Sequence, residues 1–325
     1  MTSSLVTGGA GFIGFALASE LARDAGHRVV VVDNFVRGER DAAFAELCAR
    51  PNVAFVELDL AAPDAVARLP DELFDFVFHL AALNGTQNFY ERPYEVMRNS
   101  TLPTFALVER YVCTRRVSRF VYTGSSEEYA ATVTRFGWPI PTAEDVPLCI
   151  DEPTNPRWSY ATSKLHGEVL TCTACKQHGV PFTAIRYHNV YGPRMGDKHV
   201  IPDFIARMVR GRYELHGHED TRSFLYIDDA VDATLRLARA PAAADQIVNV
   251  GSDREIAMAD LGELVMRVAG IDAPIAKHPS PRGSVRRRVP DLRKLRALID
   301  FDPAWSLERG LARTVAWYRA RLDGA

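Results

Sequence analysis

Cysteine is scarce in this chain, with five residues among 325. They are too few and too scattered to form the disulfide framework of a small secreted domain. Cys172 and Cys175 do form a C-x-x-C pair, which is typical of a redox or zinc site but also of two small apolar residues on one helix face. No second pair follows at zinc-ligand spacing, and His178 is poorly placed as a third ligand, so we favour the helix-face interpretation and predict no metal site.

The chain also lacks an excess of basic charge and any long apolar run. Lys and Arg number 39 against 41 Asp and Glu, a formal net charge of -2, so nothing predicts binding to nucleic acid or to an anionic membrane. The apolar runs are far shorter than a bilayer span. The first residues, MTSSLVTGGAGFIG, contain no basic segment of the kind that opens a signal peptide. We therefore expect a cytoplasmic protein with no membrane or nucleic-acid partner.

Strand-like and helix-like segments alternate through the first half of the chain. The predicted strands cover 4–6, 28–32, 53–57, 74–80, 120–123 and 182–187, and the predicted helices cover 12–23, 42–49, 64–69, 94–112 and 157–178. The strands are continuously apolar, which indicates burial on both faces and hence a parallel sheet between layers of helices. This rhythm predicts an α/β protein with a Rossmann-type doubly wound parallel sheet.

The composition of the sequence changes after residue 190. Glycines and prolines make 192–222 rich in loops, whereas 223–239 and 247–250 have the composition of segments that return to the main sheet. We therefore predict two interleaved parts. Residues 1–188 plus about 223–250 form the dinucleotide-binding domain, and about 189–222 plus 251–325 form a smaller α/β substrate-binding lobe.

Gly8, Gly11 and Gly14 form a G-x-x-G-x-x-G pattern between the first strand and the first helix. Such glycines permit a tight turn, a close approach of the main chain to a pyrophosphate and close packing of the helix on the strand. Asp33 ends the second strand about 20 residues on, where an acidic side chain binds the ribose hydroxyls of NAD and repels the 2′-phosphate of NADP. The pattern therefore predicts NAD. Arg37 is either a competing phosphate ligand or a loop charge.

Two further strand ends carry residues suited to a cofactor cleft. Asp59 and Leu60 follow the third strand, where the carboxylate could reach the adenine amino group or equally belong to a helix N-terminus. Leu80, Ala81 and Ala82 follow the fourth strand, and small residues there would let a cofactor pass close to the main chain.

Tyr160 and Lys164 form a Y-x-x-x-K pair. On a helix this spacing puts both side chains on one face. A nearby ammonium group favours the phenolate, so we expect Lys164 to lower the pKa of Tyr160 and make it a usable base. The stretch TGSSEEYA, residues 123–130, follows a buried strand with hydroxyl and carboxylate side chains, which indicates a catalytic strand end.

Together these motifs resemble the extended short-chain dehydrogenases/reductases, in particular the NAD-dependent nucleotide-sugar epimerases and dehydratases. The resemblance covers nearly the whole chain. Its blocks, in order, are TGGAGFIG (7–14), HLAA (79–82), FVYTGSSEEY (120–129), SYATSKLHGE (159–168), RYHNVYGPRM (186–195), VIPDFI (200–205), TRSFLYIDDAVDA (221–233) and RRVPDLRKL (287–295).

The resemblance implies a role for each matching residue. The catalytic set comprises the base Tyr160, its partner Lys164, the hydroxyl residue Ser125, and Ser126 and Glu127. The NAD-binding set is Gly8, Gly11, Phe12, Ile13, Gly14, Asp33, Asn34, Asp59, Leu60, Leu80, Ala81, Ala82, Asn99, Tyr160, Lys164 and Tyr187. The nucleotide-sugar set is Thr86 and Ser125 at the sugar, Asn189, Arg222 and Arg288 at the diphosphate, and Val200 at the base. Arg288 alone in the basic run 286–288 is given the phosphate role.

The resemblance leaves the reaction open among branches that share a first step, the oxidation of a sugar hydroxyl, usually at C4. The broadest prediction is a 4-epimerase, with a decarboxylase of the UDP-glucuronate type or a 4,6-dehydratase as the alternative. Glu127 matches the dehydratase and decarboxylase branches, although it could be a loop carboxylate bonded to main-chain N–H groups. The blocks at 192–195 and 287–295 favour a decarboxylase, whereas NGTQNFYERP (84–93) does not. A nonenzymatic NAD-binding sensor is the remote alternative, which the intact Tyr160 disfavours.

Two positions depart from the family's commonest pattern. Gly124 stands where a small hydroxyl residue is usual, and Glu128 places a charge where an apolar residue such as Val usually precedes Tyr129. The family also commonly dimerises through two helices, which here correspond to about 94–112 and 157–178. We therefore expect a homodimer.

Overall fold

The computed structural model describes residues 1–196, 199–280 and 285–323. The strands are β1 (Thr2–Thr7), β2 (His27–Asp33), β3 (Val53–Glu57), β4 (Phe74–His79), β5 (Val117–Ser125), β6 (Phe182–Tyr187), β7 (Val190–Tyr191), β8 (Glu214–His216), β9 (Thr221–Ser223), β10 (Leu225–Tyr226), β11 (Gln246–Val250), β12 (Glu255–Ala257), β13 (Ala276–His278) and β14 (Arg287–Arg288). The helices are α1 (Phe12–Leu21), α2 (Ala42–Cys48), α3 (Ala65–Arg68), α4 (Thr86–Glu91), α5 (Pro93–Leu107), α6 (Ala130–Phe136), α7 (Ser159–His178), α8 (Val200–Val209), α9 (Ile227–Arg239), α10 (Met258–Val268), α11 (Arg293–Ile299) and α12 (Leu307–Asp323). Within these described ranges no helix combines the length and the apolar composition that crossing a bilayer requires.

Seven strands form one sheet in the order β11-β6-β5-β4-β1-β2-β3. Every neighbouring pair in this sheet is parallel. The chain first builds β1, β2 and β3 in one direction and then returns to the other side of β1 with β4, so the strand order reverses between β1 and β4. This topology confirms the predicted Rossmann-type doubly wound sheet.

Successive residues of the central strands are buried on opposite faces of the sheet. On β1, Val6 packs into one hydrophobic cluster and Leu5 into the other, and on β2, Val31 and Val30 divide in the same way. Helices α1 and α9 contribute to the first cluster, and α5 and α7 contribute to the second. Helices therefore cover both faces of the sheet, and this burial explains why its strands are continuously apolar.

The C-x-x-C pair lies on α7 and faces the sheet. Cys175 is buried in the second cluster and Cys172 packs against it. Burial raises the pKa of both thiols to about 12. A thiol with so high a pKa is a poor nucleophile and a poor metal ligand. Among the described residues no group of three or more His, Cys, Asp or Glu side chains is arranged to hold a metal ion.

The two segments predicted to return to the main sheet do so in different forms. Residues 247–250 form the edge strand β11, which is parallel to β6. The segment 223–239 contains the short strand β10 and the helix α9, which packs in the first hydrophobic cluster on one face of the sheet. The first turn of α9 carries Asp228 and Asp229, and acidic residues stabilise a helix N-terminus. The segment predicted to be loop-rich also contains α8.

Among the described residues, three smaller sheets lie in the second half of the chain. They pair β10 with β7, β13 with β8, and both β12 and β14 with β9. All of their strands fall between residues 190 and 288. The proposed boundaries between the two lobes stay a prediction, and positions 197–198, 281–284 and 324–325 of that division lie outside the described residues.

Candidate active site

A long cleft runs along the carboxyl ends of the central strands, across the point where the strand order reverses. Ligands of open α/β sheets bind at such a reversal point. The cleft is lined by the loops after β1, β2, β3, β4, β5 and β6 and, in the second half of the chain, by residues 194–196 and 199–201.

The turn between β1 and α1 forms one wall of this cleft. Gly8 has a φ of +69°, and a Cβ there would lie 2.9 Å from the main-chain nitrogen of Ala81. A Cβ on Gly14 would overlap the carbonyl oxygen of Gly8. Gly11 begins α1 without a side-chain cap, so the N–H groups of the first helical turn have no side-chain acceptor. This wall fits the pyrophosphate of a dinucleotide, which such a helix N-terminus binds.

Asp33 lies at the end of β2, buried beside the cleft. Its two carboxylate oxygens accept hydrogen bonds from the N–H groups of Ala10, at 2.9 Å, and Phe35, at 2.7 Å. Burial raises the pKa of Asp33, and these main-chain donors oppose the rise. The side chain is therefore held in one position, which fits the ribose hydroxyls of NAD.

Arg37 is a partly buried cleft residue and not a solvated loop charge. Its guanidinium group donates a hydrogen bond to the carbonyl oxygen of Asn84, in the loop after β4. A Cβ on Gly196 would lie 2.6 Å from the same guanidinium group. Arg37 therefore reaches from the loop after β2 to the opposite wall of the cleft.

The other residues predicted to bind the cofactor also line the cleft. They are Phe12, Ile13, Asn34, Asp59, Leu60, Leu80, Ala81, Ala82, Asn99 and Tyr187. The Asp59 carboxylate accepts hydrogen bonds from the Ala61 N–H group, at 3.0 Å, and from the Asn34 amide, at 3.3 Å. Asp59 thus bonds to the main chain of the loop before α3, and its predicted contact with the adenine amino group stays a prediction.

Tyr160 and Lys164 project from the N-terminal half of α7 into the cleft, as their spacing predicted. The Tyr160 ring stacks on Phe89, with ring centroids 5.0 Å apart. The Lys164 ammonium group donates a hydrogen bond to the carbonyl oxygen of Thr123, at 2.8 Å, and lies 5.9 Å from the centroid of the Tyr160 ring. Both side chains are buried, and these contacts restrain their positions.

The prediction of a low pKa for Tyr160 is wrong for this chain, because the net effect of the surroundings raises that pKa. Burial raises the pKa of Tyr160, and the carboxylates of Glu128 and Glu127 raise it further. A hydrogen bond with Ser125 and the charge of Arg37 act in the opposite direction. Burial also lowers the pKa of Lys164 itself to about 8.

Ser125 and Tyr160 both line the cleft at the end of β5, and the Ser125 hydroxyl group acts to lower the pKa of Tyr160. Ser125 is the last residue of that strand, and its hydroxyl oxygen accepts a hydrogen bond from the main-chain N–H group of Glu127 at 3.2 Å. Ser126 also lines the cleft. A substrate hydroxyl placed between Ser125 and Tyr160 would meet a potential base and a second hydroxyl group.

Glu127 faces the cleft and forms ion pairs with two arginines. One carboxylate oxygen lies 2.8 Å from the Arg288 guanidinium group and the other lies 3.2 Å from that of Arg157. Burial raises the pKa of Glu127, but Arg288 and Arg157 outweigh it, so the pKa lies below its ordinary value. The predicted alternative, a loop carboxylate bonded to main-chain N–H groups, is therefore not what the structure shows.

The residues predicted to contact the nucleotide sugar are brought together with one exception. Thr86, Asn189, Val200 and Arg288 line the cleft. Arg222 is not among the lining residues; it pairs in register with Arg288 across β9 and β14. Its guanidinium group donates to the carbonyl oxygens of Thr221, at 2.7 Å, and Arg286, at 3.0 Å. Both bonds use the same terminal nitrogen, and the other terminal nitrogen lies 3.6 Å from the Asp220 carboxylate. Because Arg222 does not line the cleft, its predicted diphosphate contact stays a prediction.

Two contacts of the site were missed by reasoning from the sequence. Phe89 lies three residues after Thr86, and Arg157 lies three residues before Tyr160. Their spacing from Thr86 and Tyr160 could have indicated both residues, because residues three apart lie on one face of a helical turn. Neither side chain belongs to a recognisable motif of its own, so only the fold shows that they contact Tyr160 and Glu127.

The doubly wound sheet, the glycine turn and Asp33 together define a dinucleotide-binding α/β protein of the Rossmann class. The sequence pattern of the NAD dependent epimerase/dehydratase family matches residues 4–251. The chain belongs to this family, and it is an enzyme whose cofactor is NAD.

Its relatives include decarboxylases, epimerases and an enzyme with 4,6-dehydratase activity. The chain is 32% identical to the UDP-N-acetyl-alpha-D-glucosaminuronate decarboxylase of Bacillus cytotoxicus, over 97% of either chain. It is 31% identical to the UDP-glucose 4-epimerase of Mycolicibacterium smegmatis, over 97% of this chain and 98% of that one. Among solved structures, the UDP-glucuronic acid 4-epimerase of Bacillus cereus, in complex with UDP-glucuronic acid and NAD, matches with a TM-score of 0.86 and 25% identity, over 98% of this chain and 100% of that one.

Proposed function

We propose that this enzyme binds a UDP-linked hexuronic acid, oxidises its 4-hydroxyl group and releases carbon dioxide from the resulting 4-keto acid. One observation carries the proposal. The pair formed by Ser125 and Tyr160 lines the same cleft as the ion pair between Glu127 and Arg288. The first is suited to a sugar hydroxyl, and the second offers a guanidinium group to a sugar carboxylate.

The residues beside Ser125 supply the oxidation step. Ser125 positions the sugar hydroxyl, and Tyr160 takes its proton, while Lys164 supports the phenolate. When bound, NAD would accept a hydride from the sugar and later return it. Val200 contacts the nucleotide base and Asn189 contacts the diphosphate, and these contacts orient the sugar toward Tyr160. Arg288, predicted from the sequence at the diphosphate, is assigned here to the sugar carboxylate.

Loss of carbon dioxide then needs little further chemistry. In the 4-keto acid the bond between C5 and C6 breaks, its electron pair moves into the enolate of the ketone, and carbon dioxide leaves. C5 then takes up a proton, and the ketone is reduced again. Arg288 stabilises negative charge beside this carbon, and Glu127 keeps the guanidinium group in place.

Two comparisons support a uronic acid as the substrate. The 32% identical relative is a decarboxylase of a UDP-linked hexosaminuronic acid. The Bacillus cereus neighbour is a 4-epimerase crystallised with UDP-glucuronic acid. A 4,6-dehydratase is less favoured, because Arg288 and Arg157 lower the pKa of Glu127 and weaken it as a base for a carbon-bound proton.

A 4-epimerase, the first prediction from the sequence, is the second candidate. The 31% identical relative is a UDP-glucose 4-epimerase. An epimerase needs the same oxidation by Ser125 and Tyr160, but the ketone then takes the hydride on its other face and the carbon skeleton stays intact. The two candidates therefore differ only after the 4-keto sugar has formed.

The test is to incubate the NAD-loaded enzyme with UDP-glucuronate, UDP-N-acetylglucosaminuronate and UDP-glucose, with products followed by NMR and carbon dioxide followed with an electrode. We expect carbon dioxide and a UDP-linked pentose from at least one uronic acid. A C4 epimer without carbon dioxide would select the epimerase. Absence of turnover on every sugar, with NAD still bound, would contradict both and favour the sensor.

A further inference from the structure

Glu128 is a buried carboxylate that the proposed chemistry does not use. Its side chain has 0% exposed surface. One carboxylate oxygen accepts a hydrogen bond from the N–H group of Ser125 at 2.7 Å. Ser125 in turn begins a 3-10 turn whose N–H groups bond to its hydroxyl oxygen, so the two residues form a capping box. Glu128 therefore fixes the main chain of Ser125 at the end of β5.

Gly124 provides the space for this carboxylate. A Cβ at position 124 would lie 2.7 Å from the carboxylate oxygen of Glu128 that bonds to Ser125, and 3.3 Å from the Cγ atom of Arg186. Real Cβ atoms do not approach other atoms as closely as the first distance. The two departures from the family's common pattern, Gly124 and Glu128, are thus parts of one arrangement.

Arg186, on β6, connects Glu128 to the helix that carries the candidate base. Its guanidinium group lies 3.5 Å from the Glu128 carboxylate and donates two hydrogen bonds to Glu168, at 2.8 and 2.6 Å. Glu168 lies on α7, four residues after Lys164 and eight after Tyr160. One buried guanidinium group therefore holds carboxylates from the loop of Ser125 and from the helix of Tyr160.

We infer that Glu128 is a positioning residue of the active site: its carboxylate holds Ser125 in place and, through Arg186 and Glu168, ties the loop of Ser125 to the helix that carries Tyr160. This inference rests on the proposed roles of Ser125 and Tyr160. It goes beyond them, because Glu128 does not line the cleft and touches neither cofactor nor substrate in this account.

The charge of Glu128 also acts on the base. After burial, Glu128 is the largest cause that raises the pKa of Tyr160. Burial and Glu168 raise the pKa of Glu128 itself, whereas Arg186 and Lys164 oppose that rise. The titratable groups that interact with Glu128 are Tyr122, Tyr129, Tyr160, Lys164, Glu168 and Arg186. Removal of a negative charge beside a phenol favours its deprotonated form and lowers its pKa.

Two substitutions separate the bond from the charge. Glu128→Gln keeps an acceptor oxygen for Ser125 but removes the charge, and Glu128→Val removes both. Glu144→Gln is the matched control, because this partly buried carboxylate bonds to the N–H group of Asn249, at 2.8 Å, and does not contact Ser125.

The first measurement is amide hydrogen exchange at Ser125 in the NAD-loaded protein, which needs no turnover. We expect exchange at least about tenfold faster in Glu128→Val, because the Ser125 N–H group loses its acceptor, and unchanged exchange in Glu128→Gln and Glu144→Gln. Wild-type exchange rates in Glu128→Val would overturn the inference, whether or not the proposed reaction is found.

The second measurement is the pH profile of kcat on whichever nucleotide sugar the wild type converts. We expect Glu128→Val to lower kcat by about 10- to 100-fold with little change in KM, because the hydroxyl of Ser125 is displaced. We expect Glu128→Gln to shift the part of the kcat profile that depends on deprotonation of Tyr160 to lower pH by about one unit. An unshifted profile in Glu128→Gln together with an unchanged kcat in Glu128→Val would contradict the inference.

Gly124→Ala offers an independent check through a double-mutant cycle. Alone, the added methyl group displaces the Glu128 carboxylate, so we expect it to accelerate Ser125 exchange as Glu128→Val does. In the Glu128→Val background the same change meets no carboxylate and adds little. Strictly additive effects of the two substitutions would show that Gly124 and Glu128 act separately and would overturn this arrangement.

Discussion

Tyr160 is the residue on which the proposed oxidation depends most directly. Tyr160→Phe removes the hydroxyl group but keeps the ring that stacks on Phe89. We expect turnover to fall by at least about 100-fold, because the base is lost, while NAD binding stays within about twofold of wild type. Turnover assays and NAD titration measure the two effects. Activity within tenfold of wild type would remove Tyr160 from its proposed role.

A substitution of Glu127 distinguishes the two candidate reactions, decarboxylation and 4-epimerisation. Glu127→Gln removes the charge that pairs with Arg288 and Arg157. We expect release of carbon dioxide to fall by at least about tenfold, because Arg288 loses its charged partner. An epimerase would stay active, since its second half needs no carboxylate at this point. Glu152→Gln, at an exposed carboxylate outside the cleft, is the control and should leave both rates unchanged.

At the scale of elements, the main sheet was largely predictable because continuous apolar runs occur only where helices cover both faces. The predicted strands 53–57 and 182–187 coincide with β3 and β6. The strand predicted at 120–123 extends from Val117 to Ser125, so Ser125 closes the strand instead of following it. The sequence does not indicate this extension, because Gly124 belongs to a residue type that is depleted in strands.

The electrostatics of the site were not predictable from the sequence. The Y-x-x-x-K spacing correctly placed Tyr160 and Lys164 on one helix face, but it carried no information on burial, which raises the pKa of Tyr160. In the same way, the matching block around Arg222 could not show that its guanidinium group bonds to the main-chain oxygens of Thr221 and Arg286 and does not line the cleft. Both properties arise from segments distant in sequence.

Asp229 joins α9 to the segment before α12 and permits a prediction about stability. Its buried carboxylate accepts hydrogen bonds from the N–H groups of Ala304, at 3.0 Å, and Trp305, at 3.1 Å. We expect Asp229→Ala to reduce the free energy of unfolding by about 2 to 4 kcal/mol, because two bonds to a charged acceptor are lost. Urea denaturation measures it. Asp228→Ala, at the neighbouring half-exposed position, should cost less than about 1 kcal/mol; equal costs would contradict this role.

At the scale of the whole molecule, the expected homodimer remains a prediction. Helices α5 and α7 expose apolar side chains, with Leu102 and Phe105 each 41% exposed and Val169 54% exposed. We expect light scattering to give the mass of a dimer for the wild type and of a monomer for Phe105→Asp, because a charge in an apolar contact is costly. Phe136→Asp, at an exposed site on α6, is the control and should stay dimeric. A monomeric wild type would contradict the prediction.

The fate of the sugar's C6 carbon tests the proposed reaction most directly. The NAD-loaded enzyme is given UDP-glucuronate and UDP-N-acetylglucosaminuronate labelled with carbon-13 at C6, and the label is followed by NMR. We expect the label to leave one of these sugars as carbon dioxide and bicarbonate, and we expect Tyr160→Phe to prevent its release. Label that stays in the sugar, with both substrates and with NAD bound, would contradict it.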